Sequence, residues 1–152
     1  MSKESDGWET PQDLIQYLTG KYDINFDLCA TDKNHKLPKY SSDIFSLSSK
    51  DFSCKETGFM NPPYSNPGPF LKKAWELALY GKIVCLVPIS VLSAKYFDIF
   101  DLRKVEDGFY VRKLQPGVTI RYLPRRVKFT HPTKKVSSPS FGCMLLILDR
   151  RQ

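Results

Sequence analysis

The chain has 152 residues, 41% hydrophobic and 26% charged, an ordinary composition for a water-soluble protein built on one core. No apolar run approaches membrane-spanning length, and the start Met1-Ser2-Lys3-Glu4-Ser5-Asp6 has no signal-peptide core, so a cytoplasmic address is expected. The net charge of +7 is uneven: residues 1–102 hold 11 Lys and Arg against 13 Asp and Glu, and residues 103–152 hold 12 against 3, a basic excess that suits a polyanion such as DNA or RNA.

In chain order, Trp8-Glu9-Thr10-Pro11-Gln12-Asp13 predicts a helix start. Thr10 is the expected N-cap, Pro11 the first helical residue, and Asp13 completes a variant capping box. Leu14, Ile15 and Leu18 mark the apolar face, and Gly20 is the expected stop. The first-turn N–H groups can serve the cap alone or receive a ligand's carboxylate. Residues 24–30 (INFDLCA) read as a buried strand. Asp27 is the odd member, either solvated at the strand's end or placed to meet a cationic group. The following loop, Thr31-Asp32-Lys33-Asn34-His35-Lys36, contains no glycine, so the usual glycine-rich turn against a nucleotide is missing. Residues 40–45 predict a second short strand, with Asp43 either a surface carboxylate or an acceptor for ribose hydroxyls.

Asn61-Pro62-Pro63-Tyr64 lies between the apolar run ending at Phe59-Met60 and a helix expected to begin near Pro69. The Asn61 carboxamide oxygen and the Pro62 carbonyl are two acceptors able to converge on one NH2 group. The prolines stiffen the turn and remove competing backbone donors. Tyr64 offers a planar face to a base extruded from a duplex, a contact worth roughly 1–3 kcal/mol. A Pro-Pro turn between strand and helix would also produce such a tetrapeptide. Its placement beyond a strand's carboxyl end, where open α/β sheets bind ligands, favours the functional reading. Gripping an amino group this way frees its lone pair for in-line attack on an activated methyl group, with no covalent enzyme intermediate.

Phe70, Leu71, Ala74, Leu77 and Ala78 mark one face of the next helix, with Gly81 as its stop. Residues 83–88 (IVCLVP) read as a central parallel strand covered on both faces. Ser93 is a candidate cap for a helix carrying Tyr96, Phe97, Ile99 and Phe100. Strands are then predicted at 109–114, at 118–123 after a Pro116-Gly117 turn, and at 141–148. Between the last two, Arg125, Arg126, Lys128, Lys134 and Lys135 make the best candidate for nucleic-acid contact. The four cysteines show no metal-ligand spacing and read as reduced, mostly buried thiols. His35 and His131 read as ordinary polar surface, and no metal site is expected.

Taken together, WETPQ at 8–12, FDLCATDKNHKLPKYSS at 26–42 and NPPYSNPGPFLKKAWE at 61–76 resemble the phage and prophage DNA adenine-methyltransferase family, the short Dam-type enzymes. IVCLVPIS at 83–90 and RRVKF at 125–129 match more weakly, and Arg125 stands where the family pattern suggests glycine. The resemblance implies an α/β, Rossmann-like methyltransferase fold with a mostly parallel sheet flanked by helices, as one compact domain over 8–150 behind a tail at 1–7. At 152 residues, no room is expected for a separate target-recognition domain beside a methyltransferase core. The resemblance also implies S-adenosylmethionine as methyl donor and adenine in DNA as substrate. By motif position, Asn61, Pro62 and Tyr64 inherit catalytic roles; Trp8, Thr10, Asp27, Ala30, Asn34 and Asp43 fall in the cofactor region. Pro63, Arg126, Phe129, Lys134 and Lys135 are the expected substrate contacts. Cytosine's amino group, a protein glutamine, or binding of nucleic acid without catalysis remain the alternatives.

Overall fold

A computed structural model describes residues 9–131 and 140–151. Helix α1, Gln12–Tyr22, buries Ile15 and Leu18. Its ends differ from the sequence expectation. Pro11, not Thr10, is the residue before the first turn, and no side chain caps it, because the Thr10 hydroxyl is engaged elsewhere. Gly20 does not stop the helix either. Asp23 does, in the left-handed region (φ 56°), with its N–H donated to the Thr19 carbonyl at 2.9 Å.

Strand β1, Phe26–Asp27, is the paired part of the predicted 24–30 run, and β2 is Lys39–Tyr40. A 3-10 turn, Ile44–Ser46, replaces the end of the predicted second strand, because Asp43 Oδ1 accepts from the Phe45 N–H at 3.0 Å and starts the turn. Then come β3 (Thr57–Met60), α2 (Gly68–Leu77) and β4 (Lys82–Pro88). Gly81, expected to stop α2, lies beyond its end. It is buried where a Cβ would run into the Phe52 ring, so close approach rather than a left-handed turn explains this glycine.

Two 3-10 segments, Ile89–Ser93 and Lys95–Phe100, take the place of the helix expected after Ser93. Ser93 Oγ donates back to the Ser90 carbonyl at 3.0 Å instead of capping the next turn. Strands β5 (Lys104–Glu106) and β6 (Phe109–Val111) form a separate hairpin, so the predicted 109–114 strand is shorter and has an unpredicted partner. The chain continues through β7 (Val118–Tyr122), β8 (Val127–Lys128), β9 (Ser140–Phe141) and β10 (Cys143–Leu148).

The main sheet has six strands in the order β2-β1-β3-β4-β10-β7. The first three neighbouring pairs are parallel, and β10 runs antiparallel to both β4 and β7. The result is a mixed, mostly parallel α/β sheet. Alternation along its central strands decides which side each residue faces. On β4, Ile83, Cys85 and Val87 pack with α2, while Val84 and Leu86 pack on the α1 side. On β10, Met144, Leu146 and Leu148 join the first cluster, and Cys143, Leu145 and Ile147 the second. The apolar run at 83–88 is continuous because both faces of β4 are covered.

None of the four cysteines is in a disulfide: Cys85 and Cys143 are buried, Cys29 is half-buried and Cys54 exposed. Among the described residues, no helix is long and apolar enough to cross a membrane.

One topological fact positions the site. From β1 the chain moves to β2 on one side, then returns to β3 on the other. The carboxyl ends of β1 and β3 therefore diverge, and open α/β sheets bind ligands at such a switch point. Asp27 ends β1, and Asn61 follows the last residue of β3.

Candidate functional site

A cavity of about 300 Å³ opens at that switch point, lined among others by Thr10, Asp27, Ala30, Asn34, Asn61, Pro62, Pro63, Tyr64 and Phe129. Asn61 is its fixed centre. The carboxamide Nδ2 donates to Thr10 Oγ1 at 2.9 Å, and Thr10 is itself only 3% exposed. With Nδ2 turned to Thr10, the Asn61 Oδ1 is buried and meets no hydrogen-bond donor among the described residues. Leaving such an acceptor unsatisfied costs about 1–3 kcal/mol, so it marks a place where a ligand donor belongs.

Thr10 is held there by the chain around it. Glu9 and Thr130 form an isolated antiparallel bridge, with N–H···O distances of 2.6 and 2.9 Å, and Glu9 Oε1 pairs with Lys36 Nζ at 2.8 Å. Two segments far apart in sequence thus fix the residue that orients Asn61.

Asp27 is 4% exposed, and its Oδ2 accepts from the Lys36 N–H at 2.9 Å. Burial pushes its carboxyl above the ordinary aspartate value; backbone N–H groups of Lys36 and Cys29 and the charges of His35 and Lys36 pull the other way without cancelling that rise. A desolvated carboxylate in a cavity gains from an incoming cation. The glycine-free loop beside it is closed by its own side chains. Asn34 Oδ1 accepts from the Thr31 N–H at 2.6 Å, and Thr31 Oγ1 accepts from the Lys33 and Asn34 N–H groups, both at 3.3 Å. No residue of this loop has positive φ, so the turn does not need glycine.

Tyr64 is buried, with its hydroxyl donating to the Leu86 carbonyl at 3.3 Å and 3.8 Å from Cys143 Sγ. Its ring meets Phe129 edge-to-face, with centroids 5.6 Å apart and planes at 90°. The two rings are in direct contact, so a base enters between them only if one ring moves. Burial, reinforced by Cys143, holds the Tyr64 hydroxyl well above its ordinary pKa, and burial pushes the Cys143 thiol up to about 11. Both stay protonated at neutral pH, which removes Cys143 as a nucleophile.

Of the sequence-predicted residues, the cavity gathers Thr10, Asp27, Ala30, Asn34, Asn61, Pro62, Pro63, Tyr64 and Phe129. Asp43 lies outside the lining, with its carboxylate capping the 3-10 turn, and Ser42 lines the cavity in its place. Arg126 lines a second, neighbouring cleft. Trp8, Lys134 and Lys135, together with the tail at 1–7, lie outside the described residues. Sequence reasoning missed the Glu9–Lys36 pair and the lining by Cys29, Phe59 and Phe70. Only the position of Glu9 inside the WETPQ stretch could have pointed to it. Among the described residues, no group of three His, Cys, Asp or Glu side chains could hold a metal ion.

Fold and site together define an α/β protein with a cavity at the switch point of a mostly parallel sheet, centred on an Asn-Pro-Pro-Tyr turn. The chain belongs to the DNA N-6-adenine-methyltransferase (Dam) family, whose model matches residues 1–152. A DNA N-6-adenine-methyltransferase of Haemophilus phage HP1 (strain HP1c1) is 32% identical over 111 residues, covering 71% of this chain and 63% of its own length. One of Escherichia phage T1 is 35% identical over 72 residues, covering 47% of this chain and 30% of its own length. The chain matches less than two thirds of the length of either relative.

Proposed function

We propose that this chain transfers a methyl group from S-adenosylmethionine to the exocyclic amino group of adenine in DNA, extruding the base to do so. The observation that carries the reading is the buried Oδ1 of Asn61, a residue of the cavity lining, which meets no donor among the described residues while Nδ2 is tied to Thr10. An acceptor fixed in this way suits an amino-group donor. Membership of the family and the two phage relatives' names support adenine over cytosine. The sheet order supports a Rossmann-like methyltransferase fold, with residues 8–150 as one methyltransferase domain. With phage relatives, the proposed address is the cytoplasm of a bacterial host.

The residues present fit the cofactor. Asp27 offers a desolvated carboxylate to an ammonium group, and the walls formed by Ala30, Thr31 and Asn34 are neutral. When bound, S-adenosylmethionine supplies the electrophilic methyl group. Asn61 Oδ1 and the Pro62 carbonyl accept from the adenine NH2 and draw it out of conjugation with the ring. The nitrogen lone pair freed in this way would face the methyl group that the cofactor would supply, and the amine's spare proton would leave to solvent. Thr10 holds the Asn61 carboxamide in register, and Tyr64 with Phe129 packs the base. Such preorganised acceptors act without reorganisation at the moment of reaction.

Incubating the protein with unmethylated DNA and labelled S-adenosylmethionine, then separating the nucleosides, tests this. Label in N6-methyladenine is the expected result. Label in N4-methylcytosine, or in no nucleoside while the cofactor binds, would overturn it.

A further inference from the structure

A second cleft, of about 910 Å³, lies between α1 and the segment that leaves β7 toward β8. Its charged lining is one-sided: Lys21, Arg121, Arg125, Arg126 and Lys128 stand against Asp13 alone. Three tyrosines share the walls, Tyr17 and Tyr22 from α1 and Tyr122 from β7. Tyr17 is 56% exposed and Tyr122 62%, so their rings are not core residues. The cleft also adjoins the catalytic cavity along the backbone. Pro11 of the cleft follows Thr10 of the cavity, Lys128 precedes Phe129, and the Glu9–Thr130 bridge joins the two segments there.

Size and chemistry narrow the occupant. The volume is in the range of about 300–1,000 Å³ typical of small-ligand pockets. A groove of cations with interspersed aromatic faces is what a single nucleic-acid strand requires: charge for its phosphates and flat surfaces for its unstacked bases. We propose that the cleft between α1 and the β7–β8 connection binds an unpaired stretch of DNA continuous with the strand that delivers its base to Asn61. The inference rests on the reading of the chain as an enzyme acting on DNA. It adds that the protein's contact with DNA includes unpaired nucleotides beside the target, held by groups outside the catalytic cavity.

The test uses the full chain and fluorescently labelled duplexes, blunt or with an oligothymidine tail, in anisotropy titrations at several salt concentrations, with methyl transfer followed on the same DNAs. The tail should raise affinity about tenfold and steepen the salt dependence. Tyr17→Ala combined with Tyr122→Ala should remove that gain while leaving blunt-duplex affinity and methyl transfer unchanged, and the corresponding pair of Phe substitutions should retain it. Arg121→Gln, at an exposed side chain, should flatten the salt slope for tailed DNA only. Equal affinity for blunt and tailed DNA, or a gain that survives the alanine pair, would overturn the cleft's role. Transfer to both DNAs without a tail effect would remove the cleft and leave the methyltransferase reading standing. Absence of transfer to any DNA would remove both.

Discussion

Thr10→Val separates two readings of the same residue. Valine keeps the shape of threonine and removes the oxygen that accepts from Asn61 Nδ2 at 2.9 Å. A neutral hydrogen bond of this kind contributes a net 0.5–1.5 kcal/mol or so, the bias that holds Nδ2 toward Thr10 and Oδ1 toward the substrate. Without it the carboxamide rotates, and in the reversed orientation it presents a donor to the amino group it must accept from. Losing that bias lowers kcat by roughly two- to twelvefold. The unsatisfied Nδ2 also costs about 1–3 kcal/mol of stability, which for a protein of this size lowers Tm by about 2–12 °C. Single-turnover methylation at saturating cofactor, with calorimetric titration of S-adenosylmethionine, reads both quantities. A lower kcat, a cofactor Kd within threefold of the parent and recovery in Thr10→Ser are the expected pattern. A raised Kd with kcat unchanged would refute the positioning role and return Thr10 to the cofactor.

Asn61→Ala removes the acceptor that meets no donor among the described residues and should cut turnover by about 10²–10³, with cofactor affinity nearly intact; near-normal turnover would end the amino-group mechanism. Asp27→Asn should weaken S-adenosylmethionine about tenfold or more, while Tm holds or rises because a desolvated charge is gone. In the parent protein the raised Asp27 pKa means that cofactor affinity falls on acidification, beginning above the pH at which an ordinary aspartate titrates. Folding, by contrast, loses stability as pH rises from the ordinary value through the raised one. An affinity independent of pH down to the ordinary aspartate range would contradict that. Tyr64→Phe should keep most activity, since its hydroxyl reaches Leu86 only at 3.3 Å, whereas Tyr64→Ala should lose about ten- to a hundredfold in rate. Equal defects in both would dismiss the ring as the working part.

What could be read from the sequence divides by the range of the interactions. Strand β4 was legible because six apolar residues in a row, 83–88, have few other uses, and α2 because its apolar spacing is helical. That Asn61, Pro62, Tyr64 and Asp27 would line one cavity was legible because a turn of paired prolines and a carboxylate in an apolar run are both hard to explain as packing. Local patterns could not show that Thr10 would serve Asn61 rather than cap α1, because that contact joins residues 51 apart. For the same reason the Glu9–Lys36 pair, 27 apart, left no trace. The glycine-free loop was misleading in the opposite direction. Its turn is made by Thr31 and Asn34 side chains, which do locally what glycine does elsewhere.

The place of β10 has a consequence for how the chain folds. It lies between β4 and β7, yet follows both in sequence. Until residues 143–148 have left the ribosome, β4 and β7 have no common partner, and the inner edge of each remains an unpaired template for other chains. The protein therefore cannot complete its sheet progressively from the N-terminus, and non-local closures of this kind are slow. The half-built sheet, with Ile83 to Val87 open along one edge, is the species most prone to aggregate during synthesis. Synthesis stalled before β10 would leave that edge exposed, and a peptide carrying the β10 sequence, supplied in trans, is the natural means of closing it.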